Sequence, residues 1–189
     1  MKYKRCSFFL IVLLLNTTHA FSQNDDLQPF MIYGQDFIAT VTLPNTWFVD
    51  MSYARQLGVN GFFYLKQYNK ETSPAITILN LAYKPEDHTP LEEWIEYDRD
   101  NFLDYYDNYT MEKADIEIKN DAVKRIIIYL VKDDQNEIVQ YSAYLDMGLH
   151  YFANIYMTIT DKNIRDSMYK DFKRCIENSV FLNIGVNIN

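Results

Sequence analysis

Residues 122–132 read AVKRIIIYLVK, and within them Ile126, Ile127, Ile128, Tyr129 and Leu130 put apolar side chains at both parities of an extended chain. Successive strand side chains point to opposite faces, so such a run is satisfied in a sheet whose two faces are both covered. Asn120-Asp121 precedes the run and residues 133–137 (DDQNE) follow it, both turn-forming. Outside those turns lie strand signals over residues 111–119, 138–147 and 151–159, the last two parted by Gly148 to His150. Connections this short join antiparallel neighbours.

The pattern continues toward both ends. Phe37, Ala39, Val41 and Leu43 alternate with Ile38, Thr40 and Thr42, a strand period that Pro44-Asn45 ends. Trp47 to Val49 reads as a short second strand, followed by a polar connection through Arg55 and Gln56. Residues 61–68 and 75–83 form a hairpin around 69–74. Thr89-Pro90-Leu91-Glu92 then combines a capping box with proline at the first helical position, and Leu91, Ile95, Phe102 and Tyr106 recur at helical spacing up to about Asn108. A second helix, capped by Thr160 or Asp161, repeats Ile164, Met168, Phe172 and Ile176 at four-residue steps, and Val180-Phe181-Leu182 leaves it. Strands, helix, antiparallel strands, helix: the order predicts an α+β fold, an antiparallel β-sheet flanked by helices as an α/β/α sandwich.

Length and charge bound the rest. A chain of 189 residues holds one domain, divided here into a targeting segment (1–20), a short polar leader (21–36), a single domain (37–182) and a C-terminal tail (183–189). Lys2, Lys4 and Arg5, the apolar run from Phe8 to Leu15, and Thr18-His19-Ala20 have the layout of a cleavable signal peptide, and the run is too short for the roughly 20 residues a membrane span needs. Cys6 precedes the run, which misplaces it for a lipoprotein. Export to the periplasm or the extracellular space follows as an expectation. Cleavage leaves 15 basic against 26 acidic side chains, a net charge of −11, which disfavours nucleic acid and anionic lipid surfaces. It also leaves Cys175 alone, so no internal disulfide is available and the core must supply stability.

The segment Phe37-Ile38-Ala39-Thr40-Val41-Thr42-Leu43-Pro44-Asn45-Thr46-Trp47 resembles the strand, Leu-Pro turn and tryptophan of the PsbP-like family. Tyr169, Phe172, Ile176, Ser179 and Phe181 similarly resemble its closing helix, so the likeness runs from about Phe37 to Phe181. That family includes an extrinsic photosystem protein, a eukaryotic Ran-binding import factor and exported bacterial DcrB-like proteins. The resemblance implies an antiparallel sheet between helices and roles in binding and assembly. Acidity and the signal peptide favour the exported bacterial branch. No metal-binding or Ran-binding motif of the family can be matched here, so no functional residue carries over.

Motifs for chemistry are missing. His88 and His150 belong to no H-x-x-x-H or H-E-x-x-H pattern, and no C-x-x-C, G-x-S-x-G or phosphate loop occurs. Gly58-Val59-Asn60-Gly61 lacks the lysine and helix start of a phosphate loop. His150, Asp146 and Cys175 are the residue types of a Cys-His-Asp set, which geometry alone can establish. The chain is therefore read as non-enzymatic, with no cofactor and no metal.

Two constellations remain. Glu92, Glu96, Asp100 and Asp104 form an acidic stripe at four-residue steps, with Arg99 to relieve it; it is either a solvated face, a docking surface for a basic partner, or a weak Ca²⁺ site. Tyr97, Tyr105, Tyr106 and Tyr109 crowd the end of the same helix, while Tyr141, Tyr144, Tyr151 and Tyr156 lie on later strands. Tyrosine can form a patch for sugars or peptides, but the placement of most of these inside regular elements favours a core with a wet rim. The chain is read first as a non-enzymatic exported accessory or assembly protein binding another envelope protein, with the acidic stripe as contact; the alternative is a small-molecule or glycan binding domain with a tyrosine-lined pocket. A pocket of roughly 300 Å³ or more with convergent polar groups favours the second, a flat apolar patch the first.

Overall fold

The computed structural model describes residues 26–33, 37–86, 88–106, 108–135, 137–148 and 150–183, so the targeting segment and residues 184–189 lie outside the described residues. Seven strands form one antiparallel sheet in the order β3-β4-β5-β9-β8-β7-β6: Trp47–Val49 (β3), Gly61–Leu65 (β4), Ala75–Tyr83 (β5), Tyr109–Lys113 (β6), Arg125–Asp133 (β7), Val139–Asp146 (β8) and Tyr151–Ile159 (β9). A second sheet of Leu27–Tyr33 (β1), Phe37–Pro44 (β2) and Val180–Asn183 (β10) is ordered β1-β2-β10. Helices α1 (Met51–Leu57), α2 (Leu91–Tyr105) and α3 (Arg165–Asn178) complete the fold. The α+β class read from residues 122–132 is the one observed.

Both faces of the large sheet are covered, by different layers. One face presents Leu79, Ala143, Leu145, Ala153, Ile155, Met157 and Ile159 to Met168, Phe172, Cys175 and Ile176 of α3 and to Phe30, Ile32, Ala39, Val41 and Leu43 of the small sheet. This is the main core, with Trp47 fully buried in it and its Nε1 donating to Asp171 of α3 at 3.0 Å. The Leu-Pro-x-x-Trp turn thus ties the first strands to the closing helix. The opposite face carries α1 over Phe62 and Ile78, and α2 over Ile127, Tyr144 and Phe152.

Several expectations need correction. The proposed leader holds β1, whose Phe30 and Ile32 face the core while Pro29, Met31 and Tyr33 face out; alternation around Pro29 was hidden by polar neighbours, and an edge strand tolerates a proline. The connection through Arg55 and Gln56 is α1, capped by Asp50, whose side chain accepts from Tyr53 N at 2.8 Å, and ended by Gly58 at φ 72°. The capping box does not form: Thr89 Oγ1 accepts from Glu86 N instead, Pro90 is the N-cap, and α2 ends at Tyr105 rather than near Asn108. The strand expected over 111–119 stops at Lys113, and Ala114, Ile116 and Ile118 follow without regular structure, packed on the main core. Asn120 Nδ2 then donates to the carbonyls of Ile176 and Ser179, at 2.6 and 2.8 Å.

Candidate functional site

The apolar anchors of α2 occupy its first turns. Leu91 and Ile95 are buried against Ile127, Tyr144 and Phe152, while farther along Asp98, Phe102 and the following Tyr106 border a cleft of about 410 Å³ between helix and sheet. The floor is a polar ladder set by strand register. Asn80 of β5 pairs with Asn154 of β9, which pairs with Tyr144 of β8; Tyr156 pairs with Ser142, and Thr158 with Gln140. Period two puts all of these on the face away from the main core. Gln140 holds two of them, its Nε2 donating to Ser142 Oγ and its Oε1 accepting from Thr158 Oγ1, both at 2.9 Å.

Asp98 stands over this ladder. Its Oδ2 accepts from Tyr144 Oη at 2.5 Å, a length typical of a hydroxyl bound to a carboxylate, and more weakly from Asn154 Nδ2 at 3.5 Å. Burial pushes the Asp98 carboxyl above the usual carboxylate range, and the Tyr144 bond only partly opposes this. Desolvation and the neighbouring Asp98 raise Tyr144 strongly, and burial, with Asp98 and Tyr106, pushes Tyr156 up to about 12. Among the described residues the cleft lining contains one carboxylate and no lysine, arginine or histidine. Asn154 is 5% exposed, and its Oδ1 has no hydrogen-bond partner. Such an atom costs about 1–3 kcal/mol, which makes it a mark of an unmet interaction.

At the mouth, Phe102, Tyr106 and Tyr109 form a triangle of rings with centroids 4.9, 5.8 and 5.6 Å apart. The structure therefore divides the four tyrosines of the helix end. Tyr106 and Tyr109 line the cleft. Tyr97, 70% exposed, belongs to a separate groove with Tyr83, Trp94 and Phe152, and the side chain of Tyr105 lies outside the described residues. Among the strand tyrosines, Tyr144 and Tyr156 face the cleft, whereas Tyr141 packs on Tyr169 and Phe172 on the opposite face.

The acidic stripe is exposed along its length. Glu92 pairs with Arg125 of β7 at 2.5 Å and Asp100 with Arg99 at 3.1 Å, while Glu96 and Asp104 face solvent. Among the described residues no group of three His, Cys, Asp or Glu side chains converges as a metal site. The Cys-His-Asp set does not assemble as a reactive centre. Cys175 is buried in the main core with Ser179 as its polar neighbour, and burial pushes its thiol up to about 12. Asp146 instead accepts from Lys84 Nζ at 2.6 Å, and the ring of His150 stacks on Tyr83.

Tyr144 and Tyr156 of the ladder are among the tyrosines singled out from the sequence; Asp98 and the amide and hydroxyl members are not, although they leave a signal. Asp98 lies seven residues after Leu91 and three after Ile95, an acid on the packing face of α2 rather than in the stripe. Gln140, Ser142, Asn154 and Thr158 interrupt two otherwise apolar strands at even positions only.

No family model and no curated protein matches the chain. A solved structure does: cyanobacterial PsbP (CyanoP) from Synechocystis sp. PCC 6803 superposes with a TM-score of 0.55, over 86% of this chain and 95% of its own, at 13% identity. At that identity the likeness carries the fold alone, and the fold of this chain is PsbP-like.

Proposed function

We infer that this domain is a non-enzymatic binding protein that takes a small polar molecule in the cleft between α2 and the sheet. The observation that carries this reading is the buried, unpartnered Asn154 Oδ1 in a cleft of about 410 Å³ where Asp98, Asn80 and Ser142 converge. That volume lies in the usual range of ligand sites, roughly 300–1,000 Å³. The test is a screen of neutral, cationic and anionic fragments by thermal shift, followed by NMR mapping on the side-chain amides of Asn80, Gln140 and Asn154. Binding fragments should shift those amides, and Asn80→Trp, which narrows the cleft without breaking a side-chain bond, should abolish the effect. Fragments that bind elsewhere, or no binder in any class, would refute the reading.

Export, and membership of the DcrB-like branch, are part of the proposal and rest on the N-terminal layout of Lys2, Lys4, Arg5 and the apolar run. Among the described residues no helix is long and apolar enough to cross a membrane. A mature N-terminus at Phe21 in an envelope fraction would support export, and retention of Met1 in the cytosol would refute it.

A second reading, docking on another envelope protein, is favoured by one feature. The outer face of the small sheet exposes Met31, Tyr33, Val180 and Leu182. This face suits a protein contact better than the acidic stripe does. A photo-crosslinker at Leu182 should capture a partner in the intact envelope, and capture from Glu96 alone would overturn that choice.

A further inference from the structure

The small-ligand reading leaves the class of ligand open, and the inference here rests on that reading. We propose that the cleft is a receptor for an organic cation, a protonated amine carrying an apolar or aromatic body, whose ammonium meets Asp98 and whose body lies against Phe102, Tyr106 and Tyr109.

The cleft offers acceptors without matching donors. Both hydrogen bonds to Asp98 fall on Oδ2, so Oδ1 has no protein donor among the described residues, and Asn154 Oδ1 has none either. Among the described residues the titratable groups that share the cleft with Asp98 are Tyr106 and Tyr109 at the mouth and Tyr144 and Tyr156 on the floor. None of them carries positive charge. A half-buried carboxylate left without a counter-charge is completed by a cation, and an ammonium carries three donors into a cleft whose open acceptors lack them.

The mouth suits the same guest. Three aromatic rings within 5.8 Å of one another present π-faces and edges, and a desolvated cation is attracted to such faces. Anions fit poorly, because nothing in the lining neutralises them and the whole chain carries a net charge of −8. A neutral polyol would satisfy Asn154 but leave the charge of Asp98 uncompensated.

Three probes of one shape separate these cases: benzylamine, benzyl alcohol and benzoate, titrated by NMR against the purified protein at neutral pH. Benzylamine should bind about tenfold or more tightly than the alcohol, since a charge-assisted bond exceeds a neutral one by that order, and benzoate should bind worst. Asp98→Asn should abolish the preference for the amine and leave the alcohol unchanged. Phe102→Leu, which keeps Asp98 and its bonds, should weaken the amine about two- to fivefold and covers the case in which Asp98→Asn fails to fold. Equal binding of alcohol and amine, tighter binding of benzoate, or an amine affinity indifferent to both substitutions overturns the cation class. In those cases shifts at Asn80 and Asn154 leave the small-ligand reading standing. If no probe and no screened fragment perturbs these amides, both readings fall.

Discussion

Replacing Asp98 with asparagine should stabilise the free protein while it removes the proposed ligand preference. The amide oxygen still accepts from Tyr144 Oη, so the 2.5 Å bond survives as a neutral one, at a loss of about 1 kcal/mol. Against this, the substitution removes an ion held under α2 with no cation beside it in the cleft lining. The penalty for such an ion is several kcal/mol when fully buried, and about 2–3 kcal/mol after discounting for the open mouth. The balance is about 1–2 kcal/mol in favour of asparagine at neutral pH, where each kcal/mol moves Tm by roughly 2–4 °C for a domain of this size. The sign agrees with the raised carboxyl of Asp98. A folded state that holds this proton more tightly than the unfolded chain loses stability as pH rises through the folded pKa. The advantage of asparagine should therefore be full at neutral pH and vanish in acid below the ordinary carboxylate range. Urea melts of both proteins at pH 7 and pH 3 measure it. A variant less stable than wild type at pH 7, or a difference independent of pH, would refute the argument that Asp98 lacks a counter-charge.

Asn154→Leu should be neutral or stabilising in urea melts, because it removes an unpartnered buried acceptor along with weak donor contacts to Asp98 and Tyr144; a loss above about 2 kcal/mol would make the residue structural. Asp146→Ala should cost about 3–5 kcal/mol, since it strands Lys84 at 2% exposure, and Lys84→Met should cost less, since Asp146 keeps Gly148 N–H and Lys124; equal costs would contradict this. Burial raises the Asp146 carboxyl but the bonds from Lys84 and Gly148 outweigh it, so the net shift is downward and the contribution of Asp146 is lost only as pH falls through that depressed value. Cys175 should resist a thiol reagent in the folded protein and react fully in urea; fast labelling of the native state would show that its burial is breached. The double change Glu96→Gln/Asp104→Asn should alter stability by less than about 0.5 kcal/mol, as expected of solvated charges, and leave amine binding intact.

The fold was more legible than the site. Apolar residues at both parities in 126–130 required two covered faces, and the structure supplies α3 with the small sheet on one side and α1 with α2 on the other. Repeats at four-residue steps located α3 because Met168, Phe172 and Ile176 all meet the core. Short elements escaped, since α1 has seven residues and buries only Ala54, and β1 places two buried residues among exposed ones. The acidic stripe drew attention because charge at regular spacing is visible in one dimension. Asp98 did not, because its neighbours Tyr144 and Asn154 are 46 and 56 residues away and reach it only through the register of β8 with β9.

The topology explains why a cleft opens on this face. The chain leaves β5 in the middle of the sheet and must resume at β6 on the far edge, with β9, β8 and β7 lying between. Four strand spacings of about 4.8 Å amount to roughly 19 Å, and the 15 residues of α2 rise about 22 Å, so one helix makes the crossing. Its packing force is uneven, because buried aliphatic anchors stand only at Leu91 and Ile95, and Asp98 and the half-buried Phe102 follow where further anchors would close the gap. On the sheet the even positions of β8 and β9 turn polar under that second half of the helix. Stability does not depend on filling the space, because the main core lies on the other face and contains Trp47, Phe63 and Phe172. One face of the sheet therefore holds the fold together, and the other is free to keep an acid, an orphan acceptor and three rings around an open cleft.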